Sequence, residues 1–118
     1  MLPADRRLRA SRDFTAVLRA GLRAGRPTLT VHLLPPPDGA TAPACAGLII
    51  SKAVGGSVVR HRVARRLRHL LADRLPGLAP GSRLVVRAAP SAGAASSAEL
   101  GRDLDAALTR LSSPRSGT

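Results

Sequence analysis

The sequence predicts one small domain in which helices pack on a β-sheet. Its 118 residues are enough for a single hydrophobic core but not for two. Hydrophobic residues make up 44% of the chain and aromatic residues only 1%, so the core must be built from Leu, Val, Ile and Ala. Apolar residues recur with helical spacing in some segments and in strand-like runs in others. These observations together favour an α/β fold.

The first predicted helix covers residues 11–20. Phe14, Val17 and Leu18 fall at positions i, i+3 and i+4, so they form one apolar stripe. Ser11 is the expected N-cap, because its hydroxyl can accept a hydrogen bond from the first turn. We therefore expect this helix to pack on the sheet through the stripe.

The remaining elements follow from alternation, β-branched residues and Gly/Pro punctuation. Strands are predicted at 28–34, 46–52 and 82–88, with a further short strand possible at 22–26, and helices at 58–74 and 98–111. The run 46–52 is nearly all apolar, as expected of a strand buried on both faces. The apolar stripe of the last helix consists of Leu100, Leu104, Ala107, Leu108 and Leu111. We expect a Pro-rich loop at 35–44, a linker of small residues at 89–97, and flexible ends at 1–8 and 112–118.

Charge gives the first indication of function. The chain has 19 Lys plus Arg against 7 Asp plus Glu, a formal net charge of +12. Because like charges repel more strongly in the compact state, folding gains nothing from this excess. A polyanion, such as nucleic acid or an anionic membrane surface, would remove the repulsion. Lys52 is the single Lys; the preference for Arg suits phosphate binding, although a GC-rich genome would produce the same bias.

Several classes of protein are disfavoured by composition. Cys45 is the single cysteine, which excludes an internal disulfide framework and a zinc site made of cysteines. No stretch approaches the about 20 apolar residues that span a bilayer, and no apolar region follows the charged N-terminus as in a secretory signal. We therefore expect a cytoplasmic protein.

The helix predicted at 58–74 has one apolar and one cationic side. At about 100° per residue, its apolar side carries Val59, Val63, Leu67, Leu70 and Leu71. The candidate binding residues are Arg60, His61, Arg62, Arg65, Arg66, Arg68 and His69. A solvated helix normally mixes charge signs at i, i+4, yet no acidic residue occurs between Asp38 and Asp73. This pattern predicts nucleic-acid binding, and the absence of Asn and Gln from the row favours contacts to the phosphate backbone.

A catalytic set is not evident. The carboxylates are scattered, and Asp103 and Asp105 lie two apart on a predicted helix, so they point in different directions. His61 and His69 are embedded among arginines, and Ser51 has no evident partner base. We therefore expect no catalytic residue, no bound metal and no bound cofactor in this chain.

The stretch 51–68 resembles the signature of the bacterial ribonuclease P protein. The matching residues are Ser51-Lys52, Val54-Gly55-Gly56 and Arg60-His61-Arg62, followed by Arg65, Arg66 and Arg68, with Arg9, Asp13, Phe14, Val17 and Gly21 matching the family's opening helix. His61 replaces the central Asn of the family's Arg-Asn-Arg motif, Gly56 replaces the Asn after Gly, and Ala64 a usual basic residue. Other cleft aromatics of the family appear as Leu18, Leu29 and His32.

The resemblance implies a two-layer α/β (α+β) sandwich with a mixed sheet of about four strands, three helices and a left-handed βαβ crossover. It implies a subunit of an endoribonuclease whose catalytic groups, and whose Mg²⁺, belong to an RNA subunit. The basic helix would bind that RNA subunit. A cleft formed by Phe14, Leu18, His32 and Lys52 would bind the 5′ leader of precursor tRNA.

Two alternatives remain open from the residues. A structural, ribosomal or general RNA-binding protein would bind RNA without preferring a tRNA that carries a leader. A DNA-binding regulator is disfavoured, because a strand and a glycine turn precede the basic helix in place of a helix-turn.

Overall fold

The protein is an α/β domain with three helices and a four-stranded sheet, as the sequence predicts. The computed structural model describes residues 2–8 and 10–112. The elements are α1 (Ser11–Ala20), β1 (Leu22–Gly25), β2 (Leu29–Leu34), β3 (Cys45–Ile49), α2 (Ser57–Arg74), β4 (Arg83–Ala88) and α3 (Ser97–Ser112). The short strand considered possible at 22–26 is present as β1. Of the end predicted to be flexible at 112–118, Ser112 belongs to α3, and residues 113–118, like Met1 and Arg9, lie outside the described residues.

The sheet is mixed, with strand order β1-β2-β4-β3. β1 pairs with β2, and β2 with β4, in antiparallel fashion, whereas β3 and β4 are parallel. Parallel neighbours need a crossover connection, and α2 supplies it between β3 and β4. The expected left hand of this crossover stays a prediction.

One face of the sheet carries the main core. Residues of the strands and of α2 and α3 form a single buried cluster there, including Val31, Leu67, Leu84, Val86 and Leu104. No aromatic side chain belongs to this cluster in the described residues, in line with the predicted aliphatic core. The predicted stripe of α3 is confirmed, since Leu100, Leu104 and Ala107 are completely buried and Leu108 is buried as well. α1 packs on part of the opposite face.

Three local predictions are corrected by the structure. The N-cap of α1 is Ala10, which makes no side-chain cap, and Ser11 is already helical. β3 ends at Ile49 and lies at an edge of the sheet, so it is only partly buried. The expected linker at 89–97 instead contains the 3₁₀ helix Pro90–Ala94, with Ala92 completely buried.

The N-terminal segment, expected to be flexible at 1–8, is packed against β3 over residues 2–8. Leu2 is 2% exposed and belongs to the core. Arg7 forms a parallel bridge with Ala46, and the backbone N–H of Leu8 donates to the carbonyl of Ala46 at 2.9 Å. This segment therefore covers the outer edge of β3.

Candidate RNA interface

The two-sided character predicted for α2 is confirmed. Val63, Leu67 and Leu71 are fully buried against the sheet, while polar residues occupy the opposite side. The helix begins after Gly55, whose φ of 151° is one that residues with side chains rarely adopt. A Cβ at Gly55 would also lie 2.8 Å from Cβ of Val59. Glycine at this position thus allows the tight turn that starts α2.

The predicted cationic row divides into two groups. Four of its members are exposed, and we call them the outer row: His61, Arg65, Arg68 and His69. The other three, Arg60, Arg62 and Arg66, are half-buried. The sequence placed six of the seven opposite the apolar side and Arg60 near the edge between the two sides, but in the structure only the outer row is exposed.

Two of the half-buried arginines contact the segment that follows β4. Nη2 of Arg62 donates to the carbonyl of Gly93 at 3.0 Å, and Nη1 of Arg66 donates to the carbonyl of Ala95 at 2.7 Å. Nε of Arg60 and Nε of Arg62 are buried without a hydrogen-bond partner in the described part of the chain. Helical periodicity could not reveal these contacts, because their acceptors lie about 30 residues away in sequence.

Val58 adds an apolar patch beside the outer row. It is the most exposed large hydrophobic residue in the described residues, at 76%, and it borders the same surface as His61 and Arg65. A surface that combines guanidinium groups with an exposed apolar side chain suits contacts with both phosphate and ribose or base.

Acidic side chains compensate cations elsewhere on the molecule. Within the described ranges, ion pairs join Arg26 to Asp103, Arg74 to Asp105 and Arg83 to Asp13. None of these pairs involves the outer row. The positive charge of the outer row is therefore not neutralised within the protein, which favours an anionic partner at that surface.

The face of the sheet opposite the core is only partly covered. Strand register places His32, Val85 and Gly47 in one row across this face and Thr30, Arg87 and Ile49 in the next, because directly opposite residues point to the same side. α1 covers this face near Gly47, where the ring of Phe14 lies so close that a Cβ on Gly47 would be 2.3 Å from Cζ. The row containing Thr30 and Arg87 stays open.

An open cavity of about 350 Å³ occupies this uncovered part of the sheet. We call it the sheet cavity; its lining is Thr30, Ile49, Ser51, Arg87, Ala88, Ala89 and Pro90. It offers one guanidinium and two hydroxyl groups beside apolar walls. Thr30 and Arg87 were not predicted as site residues from the sequence. The alternation of β4, with exposed Arg87 between buried Val86 and Ala88, is the signal that points to Arg87.

The four predicted cleft residues do not line one cavity. His32 is 8% exposed on the floor of the open face, and exposed Lys52 directly follows Ser51. Leu18 is half-buried on α1. Phe14 lines a separate groove of about 170 Å³ at the edge of β3, together with Arg68 of the outer row.

His32 is held in its neutral form. Burial lowers the pKa of its imidazole below the usual 6.5, and the positive charges of Arg87 and Arg23 lower it further. A neutral imidazole can donate through one nitrogen and accept through the other. His32 therefore adds a polar but uncharged group to the floor of this face at pH 7.

The described residues contain neither a membrane-spanning helix nor a cluster of metal ligands. No helix there is long and apolar enough to cross a membrane. No group of three or more His, Cys, Asp or Glu side chains is placed to hold a metal ion in residues 2–8 and 10–112.

Comparison with known proteins decides the family. A family model described as Ribonuclease P matches residues 2–112. The chain belongs to the ribonuclease P protein family. It is the protein component of ribonuclease P, an endoribonuclease that processes tRNA, and its partner is the ribonuclease P RNA. The resemblance noted at 51–68 is thereby confirmed.

Relatives match over nearly their whole length. The ribonuclease P protein component of Streptomyces bikiniensis is 57% identical over 117 residues, covering 94% of this chain and 95% of the relative. That of Salinispora tropica is 51% identical over 131 residues, covering 98% and 96%.

Solved structures of ribonuclease P proteins share the fold. The protein from Staphylococcus aureus superposes with a TM-score of 0.78 at 17% identity, covering 91% of this chain and 95% of the other. The protein from Thermotoga maritima gives 0.74 at 17% identity, covering 91% and 98%. At these identities the likeness shows the fold alone, and it agrees with the mixed four-stranded sheet described above.

Proposed function

We propose that the protein binds the ribonuclease P RNA through the outer row of α2 and binds the 5′ leader of precursor tRNA at the open face of the sheet. In this way it promotes endonucleolytic 5′ maturation of tRNA in the cytoplasm. The observation that carries the proposal is the outer row, whose cations have no carboxylate partner among the described residues and lie on a helix anchored to the core.

Binding by the outer row is expected to be insensitive to base sequence. Arg65 and Arg68 are exposed, and guanidinium groups bind phosphate oxygens through two parallel hydrogen bonds. The row contains no Asn or Gln, the residues that commonly read adenine edges. Contacts to phosphate position a protein on a folded RNA without reading its sequence.

The open face suits a single-stranded leader. In the sheet cavity, Arg87 can bind a phosphate, while the hydroxyls of Thr30 and Ser51 can bind phosphate or ribose oxygens. Phe14, in the neighbouring groove, is the one aromatic ring on which a base could stack. A cationic groove combined with a stacking ring is the usual arrangement for binding an unpaired strand without sequence preference.

The chemistry of cleavage is expected to reside in the RNA subunit. We expect the Mg²⁺ ions used in cleavage to be held by that RNA, with no metal or cofactor bound by this protein. The protein would contribute positive potential, which lowers the repulsion between the RNA subunit and its RNA substrate, and it would add contacts to the leader.

Affinity for the RNA subunit at several salt concentrations tests the role of the outer row. Each lost phosphate contact flattens the dependence of log K on log salt by about 0.7 to 0.9. Arg65→Met should therefore weaken binding and flatten the slope by about this amount. Arg110→Met, which removes an exposed arginine from α3, is the matched control. If both variants bind alike, the outer row does not contact the RNA.

Affinity for precursor tRNA tests the role of the open face. The reconstituted holoenzyme is compared on a precursor with a leader of about five to ten nucleotides and on a tRNA without a leader. Arg87→Met should weaken binding of the first several-fold and leave the second unchanged. Equal affinity of the native holoenzyme for both RNAs would show that the open face does not bind the leader.

A further inference from the structure

Arg62 and Arg66 are arranged differently from the outer row. Both are half-buried, and each donates a hydrogen bond to a backbone carbonyl, Arg62 to Gly93 and Arg66 to Ala95. These are charge-assisted hydrogen bonds, which are about twice as strong as neutral ones. Turning either guanidinium toward an RNA phosphate would break such a bond and leave its carbonyl without that donor.

The segment that these arginines hold is a wall of the sheet cavity. Ala89 and Pro90 line the cavity together with Thr30 and Ile49. Pro90 also begins the 3₁₀ helix Pro90–Ala94. Ala89 is also fixed by the sheet, since its N–H donates to the carbonyl of Thr28 at 2.9 Å, so the short helix sets the position of Pro90.

Few side chains of the Pro90–Ala94 helix are available to fix its position. The helix has the sequence PSAGA, so it contributes little apolar surface beyond buried Ala92. Gly93 lies directly on the 3₁₀ helix Lys52–Val54, since a Cβ at Gly93 would be 2.4 Å from the carbonyl oxygen of Val54. On the other side, the hydroxyl of Ser91 donates to the carbonyl of Pro27 at 2.8 Å. The arginine contacts therefore act beside the packing of Ala92 and Ala95 in the core and the bond from Ala89 to Thr28.

We infer that Arg62 and Arg66 are positioning residues for leader binding: they set the wall of the sheet cavity by holding the Pro90–Ala94 helix against α2. On this basis the two sides of α2 serve different ligands. The outer row faces the RNA subunit. Arg62 also borders the cavity that the outer row lines, but its bond to Gly93 assigns it, like Arg66, to the leader site. This inference rests on the proposed function, because it assumes that the leader occupies the sheet cavity.

The test separates anchoring from phosphate contact. Arg62→Met and Arg66→Met are compared with Arg65→Met, which removes the same charge from the outer row of the same helix. Each variant is first checked for folding by circular dichroism and thermal unfolding. Affinity for the RNA subunit is then measured against salt concentration. Affinity of the holoenzyme, with the RNA subunit saturating, is measured for precursor tRNA with and without a leader.

The variants of Arg62 and Arg66 are expected to affect leader binding, and Arg65→Met is expected to affect binding of the RNA subunit. Arg62→Met and Arg66→Met should lower the leader-dependent gain in affinity about fivefold, equivalent to about 1 kcal/mol, because an unanchored wall must be ordered on binding. They should leave the salt slope for the RNA subunit unchanged. Arg65→Met should flatten that slope and leave the leader-dependent gain intact. If Arg62→Met does not fold, the comparison of Arg66→Met with Arg65→Met decides alone.

Three results would overturn the inference, and they differ from one another. Inward variants that flatten the salt slope as Arg65→Met does would show that these arginines contact RNA. Inward variants that lower only the unfolding temperature, with a normal leader-dependent gain, would show a structural role alone. If the native holoenzyme shows no leader-dependent gain, the proposed leader site fails and the inference fails with it.

Discussion

The close contact between Gly47 and Phe14 predicts that the effect of Gly47→Ala on stability depends on whether the Phe14 ring is present. A Cβ at Gly47 would lie 2.3 Å from Cζ and 2.6 Å from Cε2 of Phe14, closer than real Cβ contacts, so Gly47→Ala must displace the ring. Overpacking of this kind costs about 1 to 3 kcal/mol. Replacing Gly in a strand also gains about 0.5 to 1 kcal/mol from lost flexibility of the unfolded chain. The net effect should be a loss of about 0 to 2.5 kcal/mol in the free energy of unfolding.

The same substitution should be harmless once the ring is absent. In a Phe14→Ala background the clash disappears, so Gly47→Ala should be neutral or stabilising by up to about 1 kcal/mol. Urea unfolding of the native protein, both single variants and the double variant measures the coupling, expected at about 1 to 3 kcal/mol. Gly77→Ala is the control, since a Cβ there meets nothing within 4 Å. If the changes in the free energy of unfolding caused by Gly47→Ala and Phe14→Ala add to within about 0.5 kcal/mol in the double variant, the two residues are not in contact.

Two further predictions concern buried polar groups. Asp103 accepts hydrogen bonds from the N–H and hydroxyl of Thr28 at 3.0 and 2.6 Å, so Asp103→Ala should lower the free energy of unfolding by about 1 to 3 kcal/mol at pH 7. Partial burial raises the pKa of the Asp103 carboxyl, but the two hydrogen bonds from Thr28 outweigh it and hold the pKa below its usual value. The stability difference between Asp103→Ala and the native protein should therefore shrink as the pH falls below about 4. An unchanged difference at pH 3 would contradict this expectation. For His32, burial and then Arg87 and Arg23 lower the pKa, so the unfolded state binds more protons and stability should fall as the pH drops below about 6.5. His32→Gln should remove that part of the pH dependence of thermal unfolding, and an unchanged profile would argue against the assignment.

Periodicity predicted much of the fold because the main helices obey it closely. α2 was expected at 58–74 and spans Ser57–Arg74. Its apolar residues recur every three or four positions from Val59 to Leu71, as in an α-helix. The glycine turn before it and the proline after it mark its ends. Local patterns of this kind depend only on residues a few positions apart, so one sequence suffices to read them.

The candidate site was less predictable because it depends on contacts between distant segments. Thr30 and Arg87 share the open face only through the register of β2 against β4. The inward direction of Arg62 depends on where Gly93 lies, and no spacing in the sequence encodes that distance. The sequence therefore predicted a cationic helix correctly but could not show which of its arginines are exposed and which bond to backbone carbonyls.

The resemblance at 51–68 was confirmed, and the roles it implies for single residues stay predictions. Phe14 and Arg68 line one groove, whereas Ser51 and Arg87 line another. The leader path implied by the resemblance therefore has two candidate grooves on this protein. The variants of Arg87 and of the inward arginines address the sheet cavity.

Reconstitution of cleavage tests the central claim most directly. The purified protein, its cognate RNA subunit and a precursor tRNA are combined, and 5′ cleavage is followed at low and at high Mg²⁺. We expect the protein to restore cleavage at low Mg²⁺ and the protein alone to cleave nothing. RNA binding without any effect on cleavage would show that the protein does not promote 5′ maturation of tRNA.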